Sequence, residues 1–158
     1  DQLTQFVKDC ILETDLEVRI PDDYVNNVAE RLSLYQQMDN VKSEVELDLF
    51  VNELRDRFGP IPKPVEELVL SFRLRWLAQD LGIEKLVLKS DKMIGYFIAS
   101  PKSAFYESAV FTKILDYMQK NPSQGKLSEK NDRLRLIYSD ISTLTQAYTI
   151  LDKVLSPI

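Results

Sequence analysis

Apolar and polar residues alternate between residues 10 and 20 of the chain. Cys10 and Leu12 fall on one side of the alternation, and Glu13 falls on the other. A period of two predicts a half-buried strand over residues 10–20, which Pro21 ends. We expect Cys10 to be a buried and unreactive thiol, because a reactive thiolate needs nearby positive charge that the sequence does not place there.

Three helical patterns follow the predicted strand. The first helix begins at Asn27, and its apolar residues at helical spacing are Val28, Leu32 and Tyr35. The second helix begins with Ser43 and Glu46 in the S-x-x-E arrangement of a capping box, and Gly59 ends it. The third enters through a pair of prolines, is apolar around much of its circumference, and ends before Gly82.

After Gly82 the apolar period changes from helical to strand-like. We predict two strands joined as a hairpin, a helix, one or two strands and a closing helix, over residues 83–89, 93–99, 105–120, 126–128, 133–138 and 142–155. The sequence therefore predicts an α+β fold in a single domain. A strand at 10–20 is followed by a helical half, residues 21–82, which we expect to pack on the small, mostly antiparallel sheet of an α/β half, residues 83–158.

The composition excludes several classes of catalytic site. The chain has no histidine, one cysteine and four widely separated glycines. It therefore cannot form an imidazole base, a Ser-His or Cys-His nucleophile pair, an internal disulfide or a glycine-rich phosphate loop. We expect a chain that is not an enzyme, with no catalytic residues, no metal, no cofactor and no small-molecule substrate.

The charge is distributed unevenly along the chain. The net charge is −5, but residues 1–70 carry 16 acidic and 7 basic side chains, whereas residues 71–158 carry 9 acidic and 13 basic ones. This pattern fits either an ordinary solvated surface or an acidic face that docks on a basic partner. No apolar run approaches the roughly 20 residues of a membrane span, so we expect no membrane contact. The polar start at Asp1 suggests a fragment of a longer protein, and the lone thiol of Cys10 fits the reducing cytoplasm.

One surface of the second predicted helix combines an apolar residue with carboxylates. At 100° per residue, Leu49, Glu53 and Asp56 fall on one outward arc, opposite the buried stripe. We call these three residues the acidic patch. An apolar anchor inside a charged rim is typical of a partner-binding surface, although a single exposed leucine is also common.

A second candidate surface is basic. Lys126, Lys130, Arg133 and Arg135 alternate outward from the strands predicted near the end of the chain. A basic strand face can follow a nucleic-acid backbone, which gives the alternative function of a nucleic-acid-binding accessory domain. No aromatic residues interleave with these charges in the sequence, and this favours an ordinary solvated face instead.

Three blocks of sequence resemble the C-terminal domain of the bacterial transcription-repair coupling factor family. The first is Ile20-Pro21-Asp22-Asp23-Tyr24-Val25, and the longest runs from Glu53 to Pro62 as ELRDRFGPIP. The third is Leu81-Gly82-Ile83-Glu84-Lys85-Leu86. The resemblance spans roughly residues 16–90. Several residues of these blocks end helices, so their role is structural and not catalytic.

The resemblance implies a role inside a larger parent protein. Such parents are ATP-driven DNA translocases that displace stalled RNA polymerase and recruit nucleotide-excision repair, and they contact polymerase and DNA through other domains. The family's C-terminal domain packs against a UvrB-like module and masks its UvrA-binding surface until polymerase is engaged. We therefore expect a non-catalytic, autoinhibitory domain. Our hypothesis is that Glu53 and Asp56 pair with basic residues of the UvrB-like module, while Leu49 adds apolar contact.

Overall fold

The protein is an α+β fold, which confirms the predicted fold class. The structure, a computed structural model, describes residues 5–156. Its strands are β1 (Ile11–Thr14), β2 (Ile83–Lys89), β3 (Lys92–Phe97), β4 (Gly125–Lys130) and β5 (Arg133–Ser139). Its α-helices are α1 (Val28–Asp39), α2 (Glu44–Phe58), α3 (Lys63–Asp80), α4 (Ala109–Lys120) and α5 (Leu144–Leu155), and a short 3₁₀ helix covers Ala104–Glu107.

The chain divides into two compact units. A helical unit comprises Glu17–Arg73, and a sheet unit comprises the described residues before Glu17 and after Arg73, so the division falls inside α3. Among the residues that the structure describes, no helix is both long enough and apolar enough to span a bilayer.

The helices of the helical unit begin where their capping residues predict. The Asn27 side chain accepts a hydrogen bond from the Glu30 amide at the start of α1, and Ser43 does the same for Glu46 at the start of α2. These bonds satisfy amide donors that have no partner within the helix. Gly59 ends α2 with φ of +93°, a backbone conformation that residues other than glycine rarely adopt.

The predicted apolar stripe of α1 is wrong. Val28 and Leu32 are 62% and 60% exposed, whereas the residues of α1 that are buried are Leu34 and Met38. Tyr35 is half-buried, and its hydroxyl accepts a hydrogen bond from the Ile20 amide. The helical period was read correctly, but α1 is rotated so that another stripe faces the core, which leaves an apolar pair on its surface.

The sheet is mostly antiparallel, as predicted. The strand order is β1-β2-β3-β5-β4, in which β1 and β2 pair in parallel and the other three neighbouring pairs are antiparallel. The β2–β3 and β4–β5 turns are the two-residue segments Ser90-Asp91 and Asn131-Asp132, and all four residues have positive φ. Two consecutive positive φ values are typical of the type I′ turn, whose twist matches that of the paired strands.

The first strand is shorter than the predicted span of residues 10–20. It covers only Ile11–Thr14, and the Asp15 amide still donates to the Leu88 carbonyl. The Thr14 hydroxyl then accepts a hydrogen bond from the Leu16 amide, which forms a local turn. This side-chain bond competes with the backbone hydrogen bonds between strands. The pairing therefore ends at Thr14, although apolar and polar residues still alternate in the sequence beyond it.

Gly82 links α3 to β2 at a crowded point of the sheet unit. It has φ of +76°, and a Cβ atom built there would overlap the ring of Phe105. That ring is fully buried and stacks on Phe97, with 6.0 Å between the ring centroids. The glycine is therefore required both for its backbone conformation and for the space that the Phe105 ring occupies.

Cys10 lies in the core of the sheet unit, where it is 1% exposed. Burial is the main cause that raises the pKa of its thiol from 9.0 to about 12, while the charge of Arg75 acts in the opposite direction. Burial likewise raises the pKa of Tyr138 to about 12. The thiol therefore stays protonated at neutral pH, in agreement with the predicted unreactive cysteine.

We expect Gly82→Ala to destabilise the chain by about 2–4 kcal/mol, because backbone strain adds to the overlap with Phe105. The overlap predicts that Phe105→Leu, which removes part of the ring, costs less in the Gly82→Ala background than in the natural chain. Urea unfolding of the two single variants and the double variant measures this coupling. A coupling energy near zero would show that the Phe105 ring does not restrict the size of the side chain at residue 82.

Stability should fall as the pH rises from about 9 to about 12. The Cys10 pKa is higher in the folded chain than in the unfolded chain, so the folded state binds the proton more tightly. The resulting contribution to the free energy of unfolding is fully present below pH 9 and is lost as the pH rises towards 12. We expect Cys10→Ala to reduce this alkaline loss by roughly 1–4 kcal/mol. Urea unfolding of both chains across this pH range provides the comparison. Tyr138 is present in both chains, so its contribution to the pH dependence of stability cancels in the difference. Parallel pH profiles would contradict the prediction.

Candidate functional site

The acidic patch lies on a helix whose C-terminal end is held in place by a tyrosine. The hydroxyl of Tyr24 contacts the carbonyl oxygens of Leu54 at 3.2 Å and Gly59 at 2.7 Å. Burial raises the pKa of Tyr24 and the charge of Arg55 lowers it, with burial dominant. The neutral hydroxyl thus remains a donor to these two carbonyl groups, and it ties the end of α2 to the segment before α1.

The three residues of the acidic patch point outward, as their spacing predicts. Leu49 is 64% exposed, and Glu53 and Asp56 are both exposed. The opposite side of α2 is buried through Leu47 and Leu54. The structure thus places the patch on the solvent-facing surface of the helical unit, and its role in binding stays a prediction.

The two carboxylates of the acidic patch have different surroundings. Glu53 forms an i,i+4 ion pair with Arg57 at 3.2 Å, and Arg57 also pairs with Glu30 of α1. Asp56 makes no ion pair with any residue that the structure describes. A basic partner therefore has to share or displace Arg57 at Glu53, whereas the charge of Asp56 is available without such competition.

A shallow cleft of about 270 Å³ lies beside the patch. Leu49 and Phe50 supply apolar wall, and Glu46 and Glu53 add carboxylates. The remaining lining comes from the end of α1 and the residues just after it: Gln37, Asn40 and Val41. An apolar surface with carboxylates suits a long basic side chain, whose alkyl stem packs while its charge meets an acid.

Val45 also belongs to this surface, although it was not predicted from the sequence. Val45 is 69% exposed and precedes Leu49 by one helical turn. Residues four apart lie on the same side of a helix, so Val45 lengthens the apolar surface that Leu49 begins. The signal was present as a pair of apolar residues at i,i+4 away from the buried stripe.

The predicted basic residues share one face of the sheet. Lys130 is paired with Arg133 across β4 and β5, and Ser128 is paired with Arg135, while Lys126 is opposite Ile137. Paired residues project to the same side of a sheet, and residues two apart along a strand do so too. Leu136 and Tyr138 project to the other side, where they are buried. The structure thus brings all four predicted basic residues together.

The same face continues across β3 and β2, and this continuation was not predicted from the sequence. The register places Tyr96 beside Arg135 on β5 and beside Lys85 on β2, and Lys92 is paired with Lys89. We call this surface the open sheet face, and its basic residues are Lys85, Lys89, Lys92, Lys126, Lys130, Arg133 and Arg135. Their side chains are exposed or half-buried.

The expectation that no aromatic residue interleaves with the basic residues is wrong. The Tyr96 ring lies between two cations, with its centroid 5.7 Å from Lys85 Nζ and 5.7 Å from Arg133 Cζ. Tyr96 and Arg133 are far apart in the chain, and strand pairing brings them together. A search for aromatic residues along the chain cannot detect a neighbour that lies on the next strand.

Some cations of the open sheet face already have partners. Arg133 donates to the Phe97 carbonyl and pairs with Glu84 at 2.7 Å. Glu13 lies 3.2 Å from Lys85 and 3.7 Å from Lys89. In contrast, neither Lys92 nor Lys126 nor Lys130 forms an ion pair with a described residue. Arg135 of β5 forms no ion pair with a described residue either, so the positive charge without an ion pair lies on β3, β4 and β5.

A model of the TRCF domain matches residues 14–108 of the chain. The chain is 33% identical to a transcription-repair-coupling factor of Rickettsia prowazekii over 117 residues, which are 73% of this chain and 10% of the relative. It is 44% identical to that of Escherichia coli over 78 residues, 47% of this chain and 7% of the relative. The chain thus spans about a tenth or less of these relatives.

The fold is similar to a crystal structure of the C-terminal domain of transcription-repair coupling factor. The TM-score is 0.69, and the match covers 93% of this chain and 95% of the other at 13% sequence identity. The likeness at this identity concerns the fold, and it extends over nearly all of both chains. The α+β architecture is therefore that of a single C-terminal domain.

Proposed function

The chain belongs to the TRCF domain family and has the fold of a transcription-repair coupling factor C-terminal domain, and from this premise we propose that it is an autoinhibitory docking domain. In this proposal it binds an N-terminal UvrB-like module of its parent protein and masks the surface that UvrA would bind. The parent is an ATP-driven DNA translocase that engages RNA polymerase and DNA through other domains. The observation that carries the proposal is the exposed Leu49, set among carboxylates inside the matched segment.

The proposed mechanism is competition within one molecule. A domain tethered to its own target has a high effective concentration, so a small and partly polar interface is sufficient to keep the target covered. RNA polymerase would open the closed form by binding the open form more tightly. UvrA would then reach a surface that the C-terminal domain had occupied, and no chemical step by this chain is required.

The contacts of the proposed interface follow from the geometry of α2. Leu49 and Val45 supply the apolar centre, with 64% and 69% of their surfaces exposed. Asp56 supplies a carboxylate without an ion pair among the described residues, and Glu53 supplies one that Arg57 already holds. Charge pairs at an interface contribute from near zero to several kcal/mol, depending on how deeply they are buried. We therefore assign the larger electrostatic share to Asp56.

We expect Glu53→Lys/Asp56→Lys to weaken binding of this chain to the UvrB-like module by about 10- to 100-fold and to reduce its salt dependence. Isothermal titration at two salt concentrations measures both effects. Loss of the exposed Glu53–Arg57 pair costs only about 0.3–0.5 kcal/mol, so the variant should remain folded. In a competition assay, the same variant should leave more of the module available to UvrA.

A matched control is Asp23→Lys/Glu66→Lys, which makes the same change in net charge at exposed positions of the helical unit outside the patch. We expect this control to bind within about 2-fold of the natural chain. Equal weakening by both variants would mean that total charge, and not the acidic patch, controls docking. Unchanged affinity and salt dependence in Glu53→Lys/Asp56→Lys would exclude the patch from the interface.

A further inference from the structure

We infer that the open sheet face of this chain binds single-stranded nucleic acid, with its lysines and arginines on the phosphates and Tyr96 stacked on a base. This function is separate from docking through the acidic patch, because it uses the other compact unit and ligands of opposite charge. Antiparallel sheets commonly leave one face open to solvent. Here that face carries seven basic residues and an aromatic ring.

The charge of the open sheet face suits phosphate groups. Glu13 and Glu84 neutralise part of the charge on β2 and β5, whereas Lys126 and Lys130 on β4 have no ion pair with described residues. Lys126 and Lys130 lie four residues apart on one strand, so about 13 Å separates them. Such spacing lets one extended strand of nucleic acid contact both lysines.

Arg135 adds a planar guanidinium to the same face. Its Nε is buried and has no hydrogen-bond partner among the described residues, and one of its terminal nitrogens lies 3.5 Å from the Ser128 hydroxyl. A planar guanidinium matches the geometry of a phosphate, and because the Nε is buried, a phosphate would contact Arg135 through its terminal nitrogens. Like Lys85 on the other neighbouring strand, Arg135 lies directly beside Tyr96 in the strand register.

Tyr96 favours a nucleic acid over an acidic protein as the occupant of this face. Its ring is half-buried on the middle strand β3, with cations on both neighbouring strands. An aromatic ring within a basic surface is the arrangement that stacks unpaired bases while the backbone follows the charges. In a duplex the bases are stacked on each other, so Tyr96 would have no base to stack on.

The test measures binding of the whole chain to a fluorescent oligothymidylate of about 20 nucleotides by anisotropy. For single strands, the logarithm of the affinity falls with the logarithm of the salt concentration, with a slope of about 0.7 per phosphate contact. If the chain makes about four such contacts, its affinity should fall about 50-fold between 50 and 200 mM salt. Lys126→Glu/Lys130→Glu should weaken binding at low salt by at least about 10-fold and lower the slope by about 1.4. Tyr96→Leu should lose about 5-fold, and Tyr96→Phe should retain full affinity.

The control is Lys102→Glu/Lys113→Glu, an equal charge change at exposed positions outside the sheet. It should bind within about 2-fold of the natural chain, and circular dichroism should show all variants folded. Absence of binding at low salt would overturn the proposal, as would equal weakening by the control. A duplex of the same length that binds as tightly would also overturn it. An oligoglutamate that displaces the oligonucleotide at equal charge concentration would indicate an acidic protein partner instead.

Discussion

The register of the antiparallel strands is the constraint on which the sheet unit depends. Successive side chains of a strand alternate between the two faces of the sheet, so a slip of one residue would exchange the buried and exposed sets. The turns at Ser90-Asp91 and Asn131-Asp132 hold the two hairpins in a single pairing. Correct pairing buries Leu136 and Tyr138, and it is the same pairing that collects the basic side chains on the opposite face. The core and the charged surface are thus determined together.

Local signals in the sequence predicted the fold well, because caps, helix stops and strand periods are local. Asn27, Ser43 and Gly59 are found at the helix ends where they were expected. The rotation of α1 was not predictable in this way. Val28 and Leu32 have the spacing of a buried stripe, but the stripe that is buried contains Leu34 and Met38. A helix with apolar residues on two sides is oriented by its neighbours and not by its own pattern.

Contacts between distant segments account for the other differences. The parallel pairing of β1 with β2 joins residues separated by the whole helical unit, and no local pattern specifies such a partner. Tyr96 became part of the basic surface for the same reason, since Arg133 and Lys85 reach it from neighbouring strands. In the helical unit, by contrast, Leu49, Glu53 and Asp56 belong to a single helix. Their common exposure could be predicted because one helical period relates them.

The buried thiol of Cys10 has a practical consequence for measuring motion in this protein. Cys10 is the single cysteine of the chain, and its side chain is inaccessible and protonated at neutral pH. A cysteine introduced at an exposed position would therefore be the one thiol that a maleimide dye or spin label modifies. The natural chain itself should not be labelled, so Cys10 does not have to be replaced before distances are measured between labels on its surface.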